Sequence, residues 1–401
     1  MPDFGLLTPG TPGVAESITD DAAMLRALLE VEAAWVGAQA QLGLVSARQA
    51  EQIAQAANNL ANDPQLPELV QQIAIAGALG GNPVIPLIAA LRTEAEVVAG
   101  NDSLTKVIHT GLTSQDVHDT ALVLLLKAAG TQTLAFLDQA VSATAKLAQV
   151  YQYTPVLART LAQAAVPTTF GAKFATWLEA LVSTRAQLAH VLATLPVSYG
   201  GAGGELAGYV KRSNGDPFGL VVAWATQMGL TVTATPWHVT RVPFLQISAV
   251  LAQLCAVTGH ISADILQAVR PGIYELAEPA APGRGVSSSM AHKRNPVLSI
   301  LLKRTAITAP ALLAQVYTAA GLAVDERPDG AWHAEWPAMQ QLARYGIAAA
   351  QAVAELTAGL EVNSERALAN LNEALPELAT EPAHNPGAAP ELVTRALAAI
   401  T

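Results

Sequence analysis

The 401-residue sequence contains one cysteine, Cys255, so it has no internal disulfide framework and no cysteine-built zinc or iron–sulfur centre. Charge is scarce: 13% of residues are Asp, Glu, Lys or Arg, against 51% in the apolar set, which is far from the signature of an unfolded chain. Basic residues are the rarer sign, 22 against 32 acidic, for a net charge of −10. A sequence-wide attraction to nucleic acid or anionic lipid is therefore not expected, and an anionic ligand needs a local basic patch. Met1 to Gly13 lacks a basic region followed by an apolar core and a cleavage site, so the expected location is cytoplasmic. The Gly-rich Tyr199–Gly204 stretch follows helix-like sequence rather than a strand, which argues against a dinucleotide fold. No Walker motif is present, and none of the eight histidines has another four residues away, so neither a metal nor a cofactor is expected. Gly285-Val286-Ser287-Ser288-Ser289 has serine where a hydrolase nucleophile elbow requires glycine.

What is present is helix. After the N-cap candidates Thr19 and Asp20, the residues Met24, Leu28, Val31, Trp35, Ala38 and Leu42 recur at spacings of four and three, one apolar helical stripe. Alanine-rich segments 45–61, 121–150, 171–195, 217–229, 243–269 and 340–371 also favour helix. The strand candidates, such as Leu230 to Thr235, are short. The expected fold is all-α. Punctuation near Gly100-Asn101-Asp102 and from Asp325 to Gly330 divides it into an N-terminal helical domain (1–102), a central bundle (103–338) and a short helical C-terminal domain (339–401). Three stretches carry no charge: Leu69–Leu91, Val242–Ala263 and Thr305–Val324. Gly80-Gly81-Asn82-Pro83, the polar Gln246, Gln253 and His260, and Pro310 argue against membrane spans. Helices apolar on every face instead suggest a bundle core shared between subunits.

The most informative segment is 278–296, which collects Arg284, His292, Lys293 and Arg294 in an otherwise acidic protein, among glycines that allow close backbone approach to an anion. Within it Ser287, Ser288, Met290, Lys293 and Asn295 read S-S-x-M-x-x-K-x-N. This resembles the signature of the fumarase/aspartase superfamily, G-S-S-x-M-P-x-K-x-N. The flanking residues are most similar to the branch that contains 3-carboxy-cis,cis-muconate cycloisomerase. Further blocks agree in order: Val31–Trp35, Gly81–Leu87, His109–Asp116 (H-T-G-L-T-S-Q-D), Arg159–Gln163 continuing to Gly171, Trp237-His238 with Arg241, and Trp332–Trp336.

The resemblance implies a homotetramer with a twenty-helix core and active sites assembled from three chains. It also implies proton transfer next to a carboxylate of a small polycarboxylate, without metal or cofactor. By the match, Ser287 is the catalytic acid or base and Lys293 assists it. The substrate-binding set is His109, Thr113, Ser114, Gln115, Arg159, Thr160, Gln163, His238, Arg241, Ser288, Met290 and Asn295. Hydroxyl, amide and guanidinium donors suit carboxylate oxygens. Three histidines outside the motifs, His190, His260 and His384, are expected to be structural. Leu161 stands where the argininosuccinate, adenylosuccinate and fumarate branches carry a histidine, and leucine cannot transfer a proton. That favours lactonisation of 3-carboxy-cis,cis-muconate, with a lyase acting on a succinyl-type or nitrosuccinate-like substrate as the alternative and an inactive scaffold as a third reading. Val286 and Ala291 replace the usual glycine and proline. Valine resists positive φ, so a different loop turn is expected. Arg270–Leu276 and Val242-Pro243 also depart from the family pattern.

Overall fold

After a short helix α1 (Val14–Thr19), Asp20 takes an extended conformation and its carboxylate accepts from the Ala23 amide at 2.7 Å, capping α2 (Asp21–Gln41). Of the predicted stripe, Leu28, Val31, Trp35 and Ala38 are buried, and two polar residues of the same helix, Glu32 and Gln39, are buried with them. Ser46 and Gln49 form a reciprocal cap on α3 (Ala47–Ala61). Gly81, at φ 73, and Pro83 separate α4 (Leu66–Gly80) from α5 (Val84–Ala99), which breaks the first charge-free stretch. The computed structural model describes residues 5–376 and 385–400, so His384 lies outside the described residues.

A 37-residue helix, α6 (Ser114–Val150), leads into an antiparallel hairpin, β1 (Pro155–Thr160) and β2 (Gln163–Thr169). Then come α7 (Phe170–Ala193), α8 (Ala207–Arg212), α9 (Pro217–Gln227) and α10 (Val242–Ala268). The chain continues through β3 (Leu276–Ala277), the 278–296 loop, α11 (Val297–Gly321) and α12 (Gly330–Ala358). It closes with β4 (Glu361–Val362), which pairs with β3, and with α13 (Ser364–Ala374) and α14 (Ala389–Ala398). Helices α6, α7, α10, α11 and α12 pack on one another as the central bundle, with α2 to α5 beside it.

The all-α expectation holds, with three local corrections. The β1–β2 hairpin was not anticipated, whereas Leu230–Thr235 forms only a single bridge, Thr231 to Pro196. The 340–371 segment is two helices, because Asn363 accepts from the Arg366 amide and starts α13 afresh after β4. The division drawn at 338/339 falls inside α12, which continues through Pro337.

By length and composition α6, α10 and α11 could each cross a membrane. More than half of the apolar window of α6 and of α10 is buried in the bundle, at 56% and 61%, but for α11 the share is 28%. Ile300, Ile307 and Tyr317 on α11 are exposed, as are Leu322 and Val324 just after it. Cys255 is buried in α10 and burial pushes its thiol up to about 12, so it is not a nucleophile at neutral pH.

Candidate active site

Asp116 organises the start of α6. It sits in the first turn, where the helix dipole favours a carboxylate, and it is fully buried. Its oxygens accept from the Thr113 amide (2.9 Å), the Gly201 amide (3.1 Å) and Tyr209 Oη (3.0 Å), and lie 2.8 Å from His238 Nε2. These contacts tie the Thr113-Ser114 turn to the 200–201 loop and to the segment before α10. Burial, and then the charge of Asp116, push the Tyr209 phenol well above its usual range, so Tyr209 acts as a neutral donor. Thr113 and Ser114 are half-buried; Thr113 and Asp116 form a reciprocal cap on α6, and no hydrogen bond of the Ser114 hydroxyl is found among the described residues. Just before them, His109 has φ 62, and its Nδ1 lies 2.7 Å from Glu32 Oε1.

One helical turn into α6, a second buried cluster begins. Arg241, 1% exposed, reaches Asp119 through Nη1 at 2.6 Å and Nη2 at 3.2 Å, and is also paired with Glu335. Trp332 Nε1 donates to Asp119 at 2.8 Å. Burial alone would raise the Asp119 carboxyl, but Arg241 outweighs it and holds it below its usual range. For Glu335 burial prevails over Arg241 and the group is raised to about 7. Gln115 is buried with its amide on Asp119 (3.1 Å) and on the His238 carbonyl (2.9 Å). Gln115, His238 and Arg241, three of the expected substrate contacts, are thus committed within the chain. Gln115 Oε1 and His238 Nδ1 are buried without a hydrogen-bond partner.

The β1–β2 hairpin carries the next block to the surface. Its tip consists of Leu161 and Ala162, both left-handed (φ 50 and 64), and Leu161 is 98% exposed. Thr160 and Gln163 flank the tip and are exposed. Arg159, next to the tip, makes a bidentate pair with Glu275, at 2.7 and 2.9 Å, which fixes the tip end of the hairpin against the residue just before β3.

That loop is a small hairpin of its own. The Asn295 amide and side chain both donate to the Gly285 carbonyl (2.8 and 3.1 Å), and Val286 bridges to Arg294. The turn expected at Val286 lies one residue earlier. Gly285 has φ 68, and a Cβ there would collide with the Asn295 carbonyl, whereas Val286 is extended and needs no positive φ. Ser287 Oγ accepts from the Met290 amide (3.1 Å) and the Ser289 amide (3.4 Å), two donors aimed at an oxygen that must stabilise negative charge to work as a base. Ser288, Met290 and Lys293 are exposed, and Glu278 caps α11 through the Leu298 and Ser299 amides.

A lyase family model matches residues 13–309. The chain belongs to the fumarase/aspartase superfamily. It is 42% identical to nitrosuccinate lyase from Streptomyces davaonensis over 379 residues, which cover 92% of this chain and 77% of the relative. It is 35% identical to 3-carboxy-cis,cis-muconate cycloisomerase from Bradyrhizobium diazoefficiens over 371 residues, 92% and 79% of the two chains. The structure of 3-carboxy-cis,cis-muconate lactonizing enzyme from Pseudomonas putida superposes with a TM-score of 0.85 at 29% identity, covering 96% of each chain.

Within this superfamily member, the motif residues divide into two sets. Gln115, Arg159, His238, Arg241 and Asn295 have their side-chain donors engaged. The side chains of Ser114, Thr160, Gln163, Ser288 and Lys293, and His109 Nε2, make no hydrogen bond among the described residues, whereas Thr113 is part of the cap on α6. No hydrogen bond or ion pair among the described residues joins 285–295 to 109–116 or to 159–163. His190 and His260 are exposed on helix surfaces, His260 lying 3.7 Å from Asp264. Sequence reasoning passed over Glu32 and Asp116 as organisers, although both stand inside quoted motifs. The available signal was an acidic residue in an apolar helical stripe, and another in the first turn of a long helix.

Proposed function

We propose that this protein is a lyase that removes a proton beside a carboxylate of a 2-substituted succinate and expels an anionic substituent, with 2-nitrosuccinate as the substrate. The observation that carries this reading is that Ser287 sits under two amide donors while the hairpin tip offers Leu161 and no proton donor. Ser287 takes the C3 proton, and the electron pair passes into the adjacent carboxylate, whose doubly charged form Lys293 and the loop amides stabilise. Collapse forms the C2–C3 double bond, and nitrite leaves C2 with its bonding pair. The products are fumarate, nitrite and a proton. Amine or hydroxide would need protonation to leave, but nitrite is the anion of an acid about as strong as a carboxylic acid and departs without a donor. The 42% identity to nitrosuccinate lyase supports the same reading.

Lactonisation of 3-carboxy-cis,cis-muconate is the second reading, supported by the 35% identical cycloisomerase and by the same leucine, since nothing leaves in a ring closure. In it Ser287 delivers the proton that balances attack by a substrate carboxylate on its own double bond. Either reaction takes place in a homotetramer, where open donors of one chain meet the hairpin tip and the loop of others, and the exposed apolar residues of α11 are covered. The deciding experiment supplies both substrates to the purified protein and measures nitrite and fumarate release beside loss of diene absorbance. Ser287→Ala should lower the favoured rate by roughly 10²–10⁴-fold.

A further inference from the structure

Glu32 is fully buried on α2 and touches His109 Nδ1 through Oε1, at 2.7 Å, while Oε2 has no hydrogen-bond partner. A carboxylate taken out of water with a single contact is costly unless that contact can carry positive charge. His109 itself holds φ 62, a conformation rare for a residue with a Cβ. The loop is clamped in that shape. Trp35 Nε1 donates to the Thr110 carbonyl (3.1 Å), Arg92 Nη2 donates to the Ile108 carbonyl (3.3 Å), and Thr110 Oγ1 donates to the Lys106 carbonyl (2.8 Å). Strained backbone persists only where its surroundings over-determine it, and such positions gather at functional sites. Here the strain and the buried acid have one common effect: the ring is turned so that Nδ1 meets Glu32 while Nε2, on a side chain 20% exposed, has no hydrogen-bond partner among the described residues.

We propose that Glu32 is a positioning residue that holds His109 with Nδ1–H donated to its carboxylate and presents Nε2 to a carboxylate of the substrate. This rests on the reading of the site as one for small polycarboxylates. An anion arriving at Nε2 accepts from that nitrogen while Glu32 accepts from Nδ1, so that the ring bridges two carboxylates with both of its nitrogens as donors. The other charged groups around this loop are Arg92 on α5, Lys106 within it, and Asp116 on α6, whose oxygens are already engaged.

The test uses succinate as an inert probe by calorimetry, together with steady-state kinetics, on wild type, Glu32→Gln, His109→Asn and the double variant. Gln keeps an oxygen for Nδ1–H but removes the charge. Glu32→Gln should weaken succinate about tenfold, which corresponds to about 1.4 kcal/mol, and raise KM to match, with kcat within about twofold. In the His109→Asn background the same change should add nothing. An equal effect in that background shows a fold brace and overturns the proposal, as does unchanged succinate affinity in a folded Glu32→Gln protein. Should that variant not fold, a wild-type crystal structure with succinate decides. A carboxylate oxygen within hydrogen-bond reach of His109 Nε2, with the Glu32 contact intact, supports the assignment, and a ligand elsewhere overturns it. A wild type that binds no succinate overturns the polycarboxylate reading itself, whereas binding that ignores both variants overturns only the role of Glu32.

Discussion

Replacing His118 with phenylalanine should remove the loss of stability in mild acid that this side chain causes. The imidazole lies in the buried face of α6, stacked on Trp336 with centroids 4.0 Å apart and edge-on to Trp332 at 5.4 Å. It borders an apolar cavity of about 550 Å³, together with Met24, Leu25 and Leu28. Its Nδ1 is sealed from water without a partner. Burial is the main reason its pKa falls from 6.5 to about 4; Asp119 pulls upward, and Arg241 and His333 add to the fall. In the unfolded chain the ring protonates below 6.5, but in the folded protein it stays neutral until about 4. Between those values the unfolded state binds more protons, so stability drops as pH falls through this window. At about 1.36 kcal/mol per pH unit, the difference between 6.5 and 4 amounts to roughly 3 kcal/mol lost by pH 4. Phenylalanine keeps the stacking and cannot titrate, and the cavity gives room for its extra atom. Urea unfolding at fixed protein concentration, from pH 7 down to 4, should show the variant gaining on wild type by roughly this amount, with about 1 kcal/mol already present at pH 7 from the lost unpaired nitrogen. Parallel stability–pH curves for the two proteins would refute the reasoning.

Arg241→Met should cost about 3–5 kcal/mol, because Asp119 and Glu335 are left buried without their cation, and the loss should appear as a lower denaturant midpoint. Gly285→Ala forces a Cβ into the Asn295 carbonyl, so activity should fall by tenfold or more while the unfolding midpoint changes little. Gly200→Ala places a Cβ 2.7 Å from His238 Cε1, and should lower thermal stability by loosening the Asp116–His238 contact. Leu161→His should leave nitrite release unaided, since that leaving group needs no proton, and a large gain in rate would show that departure is acid-limited.

The helices were readable because alanine content favours helix at α7 and α10, and at α2 a cap and the three-and-four spacing agree. The β1–β2 hairpin was not, since Pro155–Thr169 lacks a clean two-residue alternation and contains Pro167 within a strand. The break after Gly359 was also missed, because a run of alanines on both sides looks continuous until Asn363 supplies a new cap. The site was legible as a set of motifs, but the roles were divided by burial, a property of tertiary packing. Arg241 and Ser114 stand in motifs of equal standing in the sequence, yet one is enclosed by two carboxylates and the other keeps an unengaged hydroxyl. Glu32 shows the converse: an acid in an apolar stripe reads as a blemish until the fold places His109 against it.

The central claim is that Ser287 moves a proton beside a substrate carboxylate and an anion leaves with no acid to assist it. The most direct measurement mixes purified protein with 2-nitrosuccinate and follows nitrite and fumarate together, beside Ser287→Ala. Equal release of both products by wild type, with loss of the rate in the variant at unchanged unfolding midpoint, is the predicted result. Nitrite release that persists in Ser287→Ala would contradict the account of the proton step. An absence of release alongside rapid loss of 3-carboxy-cis,cis-muconate absorbance would replace the elimination with the ring closure.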